Sequence, residues 1–184
     1  CVCKRQMEHW RLRAGRPGLF CDLSDLRSIH GLLYTVSRVL DAPLREGTAE
    51  AHVLRLGRVI ASHGPMLLVL DNFEQIVEYG PETVGHWLQQ EPGLQVLVTS
   101  RERLALRGES CLLLDPLPPA DAAELFLDRA RALRPELEAS QAVTELVGRL
   151  DGLPLALELA AARAGAFSPE TMLKLLADRF TLLT

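Results

Sequence analysis

The stretch Met66–Glu74, MLLVLDNFE, constrains the fold more than any other part of this chain. Five consecutive apolar residues, Met66 to Leu70, run without alternation into Asp71, Asn72 and Glu74. An uninterrupted apolar run of this length suits a strand buried on both faces of a parallel sheet. Carboxylates at its end are costly unless something there uses them, and open α/β sheets bind ligands at the carboxyl edge of their strands. The plainer reading is that Asp71 caps a following helix, a role for which Asp and Asn are suited.

The rest of the chain supplies a sheet around that strand. Leu19 to Leu23 (LFCDL) reads as a second short strand, and Leu94 to Thr99 (LQVLVT) as a third, ending in Ser100-Arg101. Leu112 to Leu114 forms a short last strand before the prolines at 116, 118 and 119. Helical spacing predicts a helix over Lys4–Leu12, and one capped by Ser24 or Asp25 that runs to Leu40. It predicts others from Thr48 to His63, over Gln75–Gln90 with a break at Gly80-Pro81, and from Asp121 to Leu133. From Ser140 onward only helices follow, Gln141–Leu150 and Leu155–Ala164 around a Gly152-Leu153-Pro154 turn, and a third with Ser168 as N-cap and Pro169 at N1. The fold class expected is a partial doubly wound parallel sheet over residues 1–135, followed by a small all-helical subdomain over 136–184.

Composition narrows the partners. A net charge of −4 and an aromatic content of 5% give no bulk attraction to nucleic acid and few bases for stacking. No apolar run reaches the roughly 18 residues that a membrane span needs. The four cysteines, Cys1, Cys3, Cys21 and Cys111, have no zinc-ligand spacing, and Cys21 and Cys111 sit in apolar runs as expected buried thiols. A cytoplasmic location is expected.

Four segments recur in a fixed order: LLVLDNFEQ (67–75), VLVTSRERL (96–104), LLLDPLPPADAAELF (112–126) and LDGLPLALELAAARA (150–164). Together they resemble the nucleotide-binding module of STAND-class ATPases, the group that includes NB-ARC and apoptotic ATPases. The DLSDLRSI stretch (22–29) and the LADRFTLL ending (176–183) are similar to the versions in bacterial multidomain transcriptional regulators. The resemblance implies ATP or ADP with Mg²⁺ as cofactors of the intact module. Asp71 would then be the Walker B carboxylate that holds Mg²⁺ through water, and Arg101 the sensor of the γ-phosphate. Thr99 and Ser100 would line the same edge. Pro154 would pack on the adenine, with Gly152 permitting its turn.

Two departures accompany the resemblance. No GxxxxGK[ST] phosphate loop occurs in these residues, and the first strand with its loop is expected to lie before residue 1. Many relatives also carry a second acid directly after the Walker B Asp, where this chain has Asn72; Glu74 is the nearby acid. Loss of the first strand, which lies between the VLVTS and LLL strands in that class, leaves two outcomes. Either Leu112–Leu114 stands detached or the gap closes by direct pairing.

The reading is therefore a fragment of an ATP/ADP-dependent switch, itself unable to hydrolyse ATP, with fused or neighbouring regulatory domains and homo-oligomerisation as the implied partnerships. Its alternative is a degenerate interaction module that keeps the fold without the chemistry.

Overall fold

A computed structural model describes residues 2–181 and resolves two compact units that meet in sequence at Cys111 and Leu112. The first is α/β. Strands β1 (Gly18–Asp22), β2 (Leu67–Asp71) and β3 (Gln95–Val98) form a parallel sheet in the order β1-β2-β3. Gly18 is in register with Leu67 and Asp22 with Asp71, while Leu67 pairs with Gln95 and Leu70 with Val98.

The strand pleat assigns alternate β2 side chains to opposite faces. Leu68 and Leu70 join the larger core, together with Cys21 of β1. That core is roofed by α2 (Ile29–Val39), α3 (Ala49–His63) and the short α4 (His86–Gln90), through Leu32, Leu33, Val36, Val53, Leu56, Ile60 and Trp87. Leu67 and Val69 face the other way, under Met7 and Trp10 of α1 (Val2–Ala14). Both faces of β2 are thereby covered, which explains its unbroken apolar run.

Several sequence expectations are corrected. The N-cap of α2 is Ser28, whose Oγ accepts from the Gly31 N–H at 3.3 Å, rather than Ser24 or Asp25. The segment after β2 is not α-helical from Gln75. Two 3-10 turns (Phe73–Gln75 and Val77–Tyr79) and a π turn (Pro81–Gly85) come first, and α-helix begins only at His86. Proline at 81 lacks an N–H to donate and tolerates only a first-turn position, so the α ladder starts anew beyond it. Leu112–Leu114 belong to no strand and are 84%, 77% and 82% exposed, the detached outcome of the two expected.

The second unit is all helical. It comprises α5 (Pro119–Arg131), α6 (Gln141–Arg149), α7 (Pro154–Ala161) and α8 (Pro169–Thr181). Asp121, expected as the α5 cap, lies inside its first turn, because Pro118 and Pro119 open the helix. The expected boundary near residue 135 also moves, since α5 packs on α6 and α7. Ala122, Phe126 and Ala130 of α5 share one core with Val143, Leu146, Val147, Leu157, Ala161 and Met172. Alternating small and large residues let these helices approach closely.

Of the two thiols expected to be buried, Cys111 is exposed and Cys21 is buried. Burial pushes the Cys21 thiol up to about 12. Between the ordinary thiol value of 9.0 and about 12 the thiol stays neutral only in the folded chain, so stability is fully kept below 9.0 and falls as pH rises across that window. Iodoacetamide at pH 8 should leave Cys21 unmodified in the folded chain and label it on unfolding, as peptide mass spectrometry would show. Labelling at equal rates in both states would contradict the burial.

Candidate functional site

The carboxyl ends of the three strands gather the polar residues of the first unit. Asp71 ends β2 beside Asp22 at the end of β1, and Thr99 follows β3 on the other side. Parallel strands align their carboxyl termini, so acids spaced far apart in sequence arrive at one edge.

Thr99 ties this edge together. Its Oγ1 donates to Asp71 Oδ1 at 2.5 Å and accepts from the Asn72 N–H at 2.9 Å. Its backbone N–H donates to the Leu70 carbonyl at 3.0 Å, and its carbonyl accepts from the Phe73 N–H at 2.9 Å. A threonine here suits both demands, because its branched side chain favours strand geometry while its hydroxyl can donate and accept together.

Asn72 adopts left-handed backbone angles, φ 64° and ψ 54°. Few residues other than glycine tolerate this region, and Asn is among them. The turn sends its Nδ2 toward Ser24, whose Oγ accepts at 2.8 Å. Ser24 in turn donates its hydroxyl to Asp22 Oδ1, which also accepts the Ser24 N–H at 3.1 Å. Ser24 is thus a linker between two strand ends, which is why it is not the helix cap. Sequence reading gave no site role to Asp22; its position at the end of a strand beside Asp71 was the signal for one.

Glu74 lies on the 3-10 turn after Asn72, and its Oε1 is 3.3 Å from Arg101 Nε. The Glu74 side chain is 18% exposed and that of Arg101 is 79% exposed. The structure therefore brings together Asp71 and Thr99, and separately pairs Glu74 with Arg101. Ser100 does not join them by its side chain, since its Oγ accepts the Glu102 N–H at 3.1 Å within its own turn. Among the described residues, no group of three or more His, Cys, Asp or Glu side chains could hold a metal ion.

Gly152 and Pro154 belong to the second unit. Asp151 and Gly152 both take positive φ, 53° and 64°, and end α6. The Leu117 N–H donates to the Gly152 carbonyl at 3.0 Å, and a Cβ at Gly152 would lie 2.5 Å from the Leu117 carbonyl oxygen. Only glycine meets both conditions. Pro154 then opens α7 at its first turn, with its ring exposed.

Comparison with known proteins agrees with this architecture. A Walker-type ATPase of Pyrococcus abyssi superposes with a TM-score of 0.55 over 98% of this chain and 66% of its own, at 16% identity. At that identity the likeness is one of fold alone. An uncharacterised protein of Mycobacterium tuberculosis is 37% identical over 168 residues, which cover 89% of this chain and 42% of that protein. A second protein of the same species, provisionally named an HTH-type transcriptional regulator, is 36% identical over 174 residues, 91% of this chain and 19% of its own length. The chain thus spans less than half the length of these relatives. No family model matches it. Among the described residues, no helix is long and apolar enough to cross a membrane.

Proposed function

We propose that this chain is the core of a nucleotide-responsive switch of the STAND type, serving a multidomain regulator. The observation that supports the reading is the Thr99–Asp71 hydrogen bond at the carboxyl edge of adjacent parallel strands, where doubly wound folds bind nucleotides, with Arg101 following Thr99 in the same loop. Asp71 would hold Mg²⁺ through water. One carboxylate steadied by a threonine hydroxyl suits an ion that keeps its waters and takes its other ligands from phosphates. Arg101 would meet the terminal phosphate, for which a planar, permanently charged guanidinium is apt. Gly152 and Pro154 would serve the adenine, as the family resemblance implies, and nucleotide state would be read out as homo-oligomerisation and signalling to neighbouring regulatory domains.

The chemistry favours sensing over turnover. Asn72 stands where an acid could activate water, and its amide is engaged with Ser24. The interaction-module alternative shares this observation and differs only in predicting no nucleotide binding. Regulation of transcription is proposed from similarity to the regulator relative, a cytoplasmic setting is proposed beside it, and no residue of this chain is assigned to nucleic acid or membrane.

Calorimetric titration of the chain with ATP and with ADP, each with Mg²⁺, tests the reading. Binding is expected to be weak, with ATP favoured over ADP in the wild type and that preference lost in Arg101→Ala. Equal weak affinity in both proteins would remove Arg101 from the site, and no binding to either would favour the interaction module.

A further inference from the structure

Glu74 was expected as an acid near the Walker B carboxylate, but its carboxylate instead meets the guanidinium of Arg101. The pair is asymmetric. Glu74 is largely buried on a short turn fixed by the Phe73 N–H bond to the Thr99 carbonyl, whereas Arg101 stands mostly in solvent. The ion pair is at Nε, on the stem side of the guanidinium, and among the described residues the two terminal nitrogens donate no hydrogen bond. An exposed arginine left alone would sample many rotamers and lose that freedom on binding. An arginine held by an ion pair at Nε keeps its planar terminal fork available to two oxygens of an anion.

We propose that Glu74 is a positioning residue for Arg101, holding its guanidinium at the carboxyl edge so that the terminal nitrogens can take phosphate oxygens. This rests on the reading of Arg101 as the phosphate sensor. Glu74 is then neither the base that activates water nor a competitor for the phosphate position. A competitor would occupy the terminal nitrogens, and here they are clear. The role rests on the charge of Glu74, since the contact is an ion pair at 3.3 Å.

Glu74→Gln keeps the shape without the charge, and Glu74→Ala removes both. Magnesium tripolyphosphate is the probe, titrated to millimolar concentration into the wild type, E74Q, E74A and R101A. The Arg101 Nε–H resonance is followed by NMR, and circular dichroism confirms folding. E74A should bind about two- to fivefold more weakly than the wild type, in keeping with the modest strength of an exposed ion pair. E74Q, which also lacks the charge, should be weakened to a similar degree, and the Nε–H resonance should shift in both variants. A double variant E74A/R101A no weaker than R101A would place the whole effect on Arg101.

Tighter binding by both E74A and E74Q would make Glu74 a competitor and overturn the proposal while the nucleotide reading stands. Unchanged binding in E74A would overturn it equally. Absence of binding in the wild type would overturn both together.

Discussion

Replacement of Gly152 by alanine should unfold the helical unit at markedly lower denaturant than the wild type. Its φ of 64° lies in the left-handed region, which costs an L-residue roughly 1–2 kcal/mol. The new Cβ would also lie 2.5 Å from the Leu117 carbonyl oxygen, a backbone atom that cannot rotate aside. Relief requires the 117–118 segment to move, and the Leu117 N–H bond to the Gly152 carbonyl would go with it. A total loss of about 3 kcal/mol is expected, near the upper end of single-residue effects. Urea titration followed by far-ultraviolet circular dichroism would measure it. A loss below about 1 kcal/mol would mean that the segment yields easily and that the close approach does not constrain the turn.

Trp87→Ala should have a comparable effect on the other unit. Trp87 is wholly buried between α3 and the sheet core, and its Nε1 donates to the Val53 carbonyl at 3.1 Å. Truncation would remove the largest side chain of that core and leave a cavity, for which about 3–5 kcal/mol is usual. Trp87→Phe would restore most of the volume without the donor and should recover more than half of the loss. Gly152→Ala and Trp87→Ala act on different hydrophobic cores, so differential hydrogen exchange should locate each loss in its own unit. If Trp87→Phe were as damaging as Trp87→Ala, the hydrogen bond rather than the packing would dominate.

The parts of this fold that were legible in sequence are those governed by local apolar pattern. Five apolar residues before Asp71 could be satisfied only by cover on two faces, and α1 and the α2–α4 layer provide it. The caps at Thr48 and Ser168 were legible because their acceptors serve N–H groups three residues away. Ser24 was misread because its partner is Asn72, 48 residues on, and no local rule reports such a pairing. The unit boundary was misplaced for a similar reason: the amphipathic stripe of α5 fits a sheet or a bundle equally well, and only the presence of α6 and α7 against it decides. At the site, the alignment of Asp71 with Thr99 followed from reading two strands as parallel neighbours. The Glu74–Arg101 pair did not, because side-chain reach across a turn depends on the irregular 3-10 backbone that replaced the expected helix.

The left-handed turn at Asn72 has an evolutionary consequence. Such a backbone admits glycine readily and Asn or Asp with little strain, so the residue after the strand-end acid is drawn from a very short menu. Asn and Asp differ there by one nitrogen for one oxygen, and exchange between them leaves the main chain undisturbed. The neighbours, however, are not indifferent. Ser24 has already given its hydroxyl proton to Asp22, and it can receive a bond from an amide but not from a carboxylate. An acid at position 72 would therefore require β1 to change its own terminal chemistry, so the two strand ends are expected to mutate as a set across descendants of this fold.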